Sequence, residues 1–179
     1  MNRLSLLYYT TIGSPVGEIF IASKAENSVS IIQVLKNQSI ESVLKRFESM
    51  YQFQPADTDQ PIFSKVIHEL KQYFQGDLNR FSVQVDLRGT AFQKQVWNAL
   101  LKIPSGETVS YKTIAINIGN EKAARAVGHA NNRNPIPIIV PCHRVIGQNG
   151  ALIGYRGGLI LKEWLIQHEK TMTPRVTDE

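Results

Sequence analysis

Two periodicities divide the chain. In the first third, apolar residues come in short β-rich runs: RLSLLYYTTI, GEIFIAS and SVSIIQVL. The turn GSPVG between the first two predicts a hairpin, and the third run predicts a further strand. Helical spacing then takes over. A helix opening at Ser39 places Val43, Leu44, Phe47, Met50 and Tyr51 on one face. MYQFQPADTDQP reads as a polar connection. Pro61 suits the first turn of a second helix, whose inner side carries Ile62, Val66, Ile67, Leu70 and Phe74. After the turn QGDLN, the alternation in FSVQVDL predicts a last strand.

From there the pattern is mainly helical. Thr90 caps a predicted helix bearing Phe92, Val96, Trp97, Leu100 and Leu101. Pro104 and Gly106 break it. YKTIAINIG is a short helix closed by Gly119, and KAARAVGHANN follows the turn as another. Helix, tight glycine turn, helix is the outline of a helix-turn-helix. RNPIPIIVPCHRVI is apolar, but Pro135, Pro137 and Pro141 exclude a central strand. It predicts a buried irregular segment leading to Cys142. GQNGALIGYRGG is a glycine-rich loop, and LILKEWLIQHEK is a closing helix with Leu161, Trp164, Leu165 and His168 at helical spacing.

Composition narrows the class. A hydrophobic fraction of 42% is that of a globular domain. No run of roughly 18 apolar residues is present, so no membrane span is predicted, and the N-terminus reads as a strand rather than a signal peptide. The single cysteine excludes an internal disulfide and suits the cytoplasm. His68, His129, His143 and His168 lack ligand spacing, so no metal site is expected.

Charge adds direction. Residues 1–85 carry eight basic and eight acidic side chains, whereas residues 86–179 carry twelve and seven. Within 109–156, Lys112, Lys122, Arg125, Arg133, Arg144 and Arg156 face Glu121 alone, so one window accounts for the net charge of +5. Such a concentration fits a polyanion such as nucleic acid, or simply a solvated face. The same window contains Cys142. A lone buried cysteine is most often an inert small hydrophobe. Beside a histidine that accepts its proton it is a nucleophile, and such a histidine is usually oriented by a third group. His143 is adjacent and Glu169 is a candidate orienter, although one cysteine, four histidines and fifteen acids leave other triples open.

IPIIVPCHRVIG resembles the active-site segment of the O6-alkylguanine-DNA alkyltransferases, the methylated-DNA–protein-cysteine methyltransferases. The resemblance extends to GTAFQKQVWNALLKIPSGETVSYKTIA, AARAVGHANNRNP, GYRGGLILKEWLIQHE and, weakly, SPVG. It is strong over residues 86–170 and rests on layout before them. It implies an α+β chain: a small ribonuclease-H-like α/β domain over 1–85, a mainly helical, winged helix-turn-helix-like domain over 86–170, and a tail over 171–179.

The implied activity is DNA repair by direct reversal. Cys142 would take the alkyl group from O6-alkylguanine, with O4-alkylthymine a second candidate substrate, and would act once. His143 would be its water-mediated base and Glu169 would hold the imidazole. Arg144 would be a structural hydrogen-bonding residue. Tyr111 would donate to guanine N3, and the loop backbone near Tyr155 and Arg156 to O6. The carbonyls of Cys142 and Val145 would accept from the exocyclic amine, and Tyr155 would wall the alkyl pocket. Some relatives carry a small residue where Arg156 stands.

On the DNA side, Arg125 would fill the stack left by a flipped base. Ala123, Ala124, Ala126, Gly128 and Ala130 would let the second helix approach the minor groove, Asn131 would be a further DNA-binding residue, and Asn134 would be a hinge between that helix and the active site. The implied partner is double-stranded DNA, bound by a monomer without a cofactor. No cysteine is available in the first domain for the structural zinc of some relatives. The competing expectations are a non-catalytic module that binds alkylated DNA and recruits other repair factors, and a cysteine hydrolase built on Cys142 and His143.

Overall fold

The computed structural model describes residues 4–24 and 28–172. They form two compact units. One comprises the chain up to Lys71 together with Ser82–Asp86, and the other Gln72–Phe81 with the chain from Leu87 onward. The expected tail lies, from residue 173 on, outside the described residues.

The first unit is built on strands β1 (Ser5–Ile12), β2 (Ile19–Ser23) and β3 (Ser28–Val34), with helix α1 (Ile40–Phe47), strand β4 (Tyr51–Pro55), helix α2 (Pro61–Gln75) as far as Lys71, and the two-residue strand β5 (Gln84–Val85). The sheet order is β4-β1-β2-β3-β5. β2 is antiparallel to both neighbours, whereas β4 and β5 add in parallel at the edges. Every residue of β2 is buried, as a strand covered on both faces requires. Leu7, Phe20, Ala22 and Ile31 of the sheet pack with Val43 and Phe47 of α1. Burying each large side chain contributes about 1.5–3 kcal/mol.

Three expectations change here. Residues 51–55 are a strand rather than a connection. Tyr51 and Phe53 alternate with Gln52 and Gln54, and the alternation is short enough to be hidden by the polar composition. The predicted face of α1 therefore loses Met50 and Tyr51, because the helix ends at Phe47. The run FSVQVDL supplies only two paired residues. Ser39 caps α1 as expected, its side chain accepting from the Ser42 N–H.

The second unit contains α3 (Ala91–Leu100), β6 (Val109–Ser110), α4 (Tyr111–Asn117), a 3-10 turn (Glu121–Ala123), α5 (Ala124–Asn132), a second 3-10 turn (Cys142–Arg144), β7 (Val145–Ile146) and α6 (Leu159–Thr171). Thr90 and Gln93 close α3 with a reciprocal capping box. α3 buries Trp97, whose Nε1 donates to Ala130 O at 2.9 Å and ties α3 to α5. Gly119, at φ 74°, ends α4 in the left-handed conformation that a side chain would oppose. The pattern of residues did not predict the short parallel pairing of β6 with β7, which fixes the start of α4 beside the residues that follow Cys142.

Candidate active site

Cys142 heads its 3-10 turn after a tightly folded approach. Val140 N–H donates to Ile136 O, and Cys142 N–H donates to Val140 O at 2.8 Å across Pro141, an inverse γ-turn with φ −82° and ψ 63°. Ile138 adopts φ 77° while fully buried, a conformation that costs a β-branched residue about 1–3 kcal/mol. Asn134 holds this segment together. Its Nδ2 donates to Val140 O at 2.8 Å and to Cys142 Sγ at 3.1 Å, and its Oδ1 accepts from Ile136 N–H.

Cys142 is 5% exposed. Burial pushes its thiol above the ordinary value, against the pull of the Asn134 hydrogen bond and of the positive charges on Lys162 and Arg156. The resting group is therefore a thiol, and attack requires a base. His143 is fully buried, and burial lowers its pKa despite the adjacent carboxylate, so the imidazole is neutral at neutral pH. Its Nε2 lies 2.7 Å from Glu169 Oε1. The hydrogen bonds from His143 and Arg144 outweigh burial and hold the Glu169 carboxyl far below the carboxylate range. An ionised carboxylate only accepts, so the ring proton is on Nε2. Nδ1, left with a lone pair, has no hydrogen-bond partner among the described residues.

Glu169 is the hub. Oε1 also accepts from Arg144 Nη2 at 2.9 Å and Tyr73 Oη at 2.8 Å, while Oε2 accepts from Arg144 Nε at 2.8 Å and Gly106 N–H at 3.2 Å. Arg144 also donates to Ile103 O. A buried carboxylate with this many donors is stable where an unpaired one would not be.

Lys162 is a second buried ionisable group. Its Nζ donates to Val145 O at 2.6 Å and Ile153 O at 2.7 Å, and burial lowers its pKa to about 8. Tyr111 opens α4, and its hydroxyl donates to Ile153 O at 2.9 Å. Tyr155 is half-buried, and its phenol is pushed well up by burial and by the nearby Cys142 and Glu169. Arg156 donates through Nη2 to Asn132 O, at the end of α5. The carbonyl of Cys142 already accepts from Val145 N–H, and that of Val145 from Lys162. Each keeps a second lone pair.

A cleft of about 500 Å³ opens beside this cluster, lined by Tyr111, Arg125, Gly128, Asn132, Ile153 and Gly154 among others. Cys142 is not part of its wall. Arg125 and Ala126 are exposed on α5, and Ala123, Ala124 and Gly128 are half-buried. Ala130 and Asn131, expected on the DNA-facing side, are instead buried, at 2% and 5% exposure. The reason is helical geometry: with Val127 they form the inward stripe of α5.

Tyr73 and Lys162 carry no prediction from the sequence pattern, and Gly106 is predicted there only as a helix breaker, not as a donor to Glu169. Lys162, Ile166 and Glu169 recur at i, i+4 and i+7, so one inward face of α6 carries both charges. That spacing was a usable signal. Tyr73 had none, being 96 residues from its partner.

Residues 91–171 match the DNA-binding domain of 6-O-methylguanine DNA methyltransferase, and residues 7–87 match its ribonuclease-like domain. The methylated-DNA–protein-cysteine methyltransferase of Methanosarcina acetivorans is 46% identical over 163 residues, covering 91% of this chain and 98% of that protein. Its counterpart in Mycobacterium bovis is 46% identical over 173 residues, covering 94% and 96%. The crystal structure of Mycobacterium tuberculosis OGT in complex with DNA superposes with a TM-score of 0.80 at 43% identity, covering 94% of this chain and 96% of that one. Among the described residues no helix is long and apolar enough to cross a membrane. Matched across both units by family, by sequence and by fold, the chain belongs to the 6-O-methylguanine DNA methyltransferase family.

Proposed function

We propose that this protein repairs DNA by direct reversal, transferring the alkyl group of O6-alkylguanine to its own Cys142. The observation that carries the reading is the arrangement of Cys142, His143 and Glu169: a buried thiol followed by a neutral imidazole whose Nε2 is held 2.7 Å from an ionised carboxylate. Sγ attacks the alkyl carbon. The C–S bond forms as the C–O6 bond breaks, and the electron pair goes to guanine. The thiol proton passes to His143 Nδ1 through one bridging water, and the imidazolium is stabilised by Glu169. The product thioether has no easy leaving group, so each molecule acts once.

Charge developing on the guanine needs donors aimed at it. The Tyr111 hydroxyl exchanges Ile153 O for guanine N3, and the backbone N–H groups near Tyr155 and Arg156 face O6. The second lone pairs of the Cys142 and Val145 carbonyls accept from the exocyclic amine, and Tyr155 walls the alkyl group. The reacting carbon is out of reach inside a duplex, so the nucleotide must be flipped out. The exposed Arg125 fills its place in the stack. The small residues Ala123, Ala124, Ala126 and Gly128 bring α5 against the minor groove, and Asn134 links α5 to the nucleophile. The protein acts as a monomer in the cytoplasm, without a cofactor.

Cys142→Ala tests the division of labour. It should abolish transfer from duplex DNA containing O6-methylguanine while leaving binding to that duplex intact, measured by fluorescence anisotropy. Transfer surviving the substitution would refute the reading.

A further inference from the structure

Tyr73 is fully buried, and its hydroxyl donates to Glu169 Oε1 at 2.8 Å. That oxygen is the one 2.7 Å from His143 Nε2. Burial first, and then the Glu169 charge, push the phenol well above its ordinary value, so it stays neutral and donates. The ring is fixed by edge contact with Phe74 and His168, each centroid at 5.3 Å, and the Tyr73 carbonyl is 2.7 Å from His168 Nε2. This backbone and side chain are thus pinned to α6 at consecutive residues, His168 and Glu169.

We propose that Tyr73 is a positioning residue of the transfer reaction: by sharing Glu169 Oε1 with His143, its hydroxyl fixes the carboxylate that orients the imidazole and limits how strongly that imidazole keeps a proton. This rests on the transfer reading above. The physical basis is competition for one acceptor. Each donor to Oε1 draws down the electron density available to the others, and in a dry site this matters more than in water. A base that must take a proton from a thiol and then release it cannot hold it too tightly. Arg144 draws on both oxygens, and Tyr73 draws only on the one facing the imidazole.

The charged and titratable groups around His143 are Glu169 and Lys162 on α6, Arg144 and Cys142 on its own turn, Tyr73 at the end of α2, and Tyr155 on the loop before α6. Removing the Tyr73 hydroxyl leaves the others in place and gives His143 a stronger acceptor. Its imidazolium gains, so neutral base is lost at a higher pH.

The test is the single-turnover rate of methyl transfer against pH for the full chain and for Tyr73→Phe, with ¹⁵N NMR of the His143 ring. In Tyr73→Phe the acid limb should move to higher pH by about half a unit to one unit, so that transfer below the limb slows about threefold to tenfold. At alkaline pH the rates should converge. The NMR titration of His143 should move in the same direction. A folded Tyr73→Phe protein with an unshifted limb and His143 titration overturns the proposal, whatever its thermal stability. Should Tyr73→Phe not fold, 3-fluorotyrosine placed at position 73 alone keeps the shape and strengthens the donor. The limb must then move to lower pH, and no movement or the opposite sign overturns the proposal. Wild-type protein run in parallel separates the two ideas: if it shows no transfer, the functional reading itself fails.

Discussion

The Asn134 amide nitrogen stands 3.1 Å from Cys142 Sγ, and the same nitrogen lies 2.8 Å from Val140 O. One side chain at the end of the α5 segment therefore grips both the nucleophile and its approach. Its donation to sulfur is the foremost interaction lowering a thiol pKa that burial raises. Asn134→Ala should shift the thiol to higher pKa and slow alkylation of Cys142 at neutral pH by about tenfold, one unit of pKa. Val140 O keeps the Cys142 N–H, but leaving the Ile136 N–H without its acceptor should cost about 1–3 kcal/mol. The pH profile of Cys142 labelling by iodoacetamide checks the first effect and denaturant unfolding the second. An unchanged labelling profile would contradict the assigned contact.

The Glu169 hub makes stability depend on pH with a defined sign. Its carboxyl is depressed below the unfolded value, about 4.5, by its partners. Its contribution is therefore fully present above about pH 4.5 and is lost as pH falls toward the folded value. His143, lowered by burial from 6.5, acts in the same direction, since the unfolded chain takes up its proton first as the solution is acidified. Glu169→Gln leaves Arg144 buried without its counter-charge and should cost about 3–5 kcal/mol at neutral pH. The difference from wild type should shrink below about pH 4.5. Urea unfolding of both proteins at neutral and acidic pH measures it, and a pH-independent difference would rule out the ionised hub.

Gly128 separates fold from DNA contact. A Cβ there would meet Tyr111 at 3.7 Å, an ordinary distance. Alanine should therefore be accommodated, and inside a helix it gains roughly 0.5–1 kcal/mol. If α5 approaches the groove as proposed, Gly128→Ala should keep or raise the melting temperature yet weaken duplex binding, because the added methyl would stand between helix and DNA. Unchanged DNA affinity would remove Gly128 from the interface.

Arg125 lies exposed on the same helix and lines the cleft. If it fills the gap left by a flipped base, Arg125→Ala should slow transfer from duplex DNA by at least about tenfold, because unstacking costs a few kcal/mol. Transfer from a single-stranded oligonucleotide should change far less. Equal losses on both substrates would assign Arg125 a purely electrostatic role.

Much of this architecture is legible in the residue pattern, and what is not has physical reasons. The hairpin, the caps at Ser39 and Thr90 and the glycine stop at Gly119 are local chemistry, so they can be read from a few neighbouring residues. The pairing of β4 with β1 joins residues more than forty positions apart, and no local signal specifies it. The candidate site divides in the same way. Cys142, His143 and Glu169 come from motif resemblance, and Lys162 was there to be found in the spacing of α6. Tyr73 could not be inferred, because only the folded chain brings it to Glu169. The inward turn of Ala130 and Asn131 shows the limit of composition: a stretch of small residues names a helix suited to close approach without naming which of its faces does the approaching.

The most direct measurement is the intact mass of the protein after incubation with an excess of duplex DNA containing O6-methylguanine, followed by peptide mapping. The account predicts a gain of one methyl group per molecule, located on Cys142 and reaching a plateau at one equivalent, with unmodified guanine restored in the DNA. Bound DNA with no mass change, a methyl group on any other residue, or continued turnover past one equivalent would contradict it.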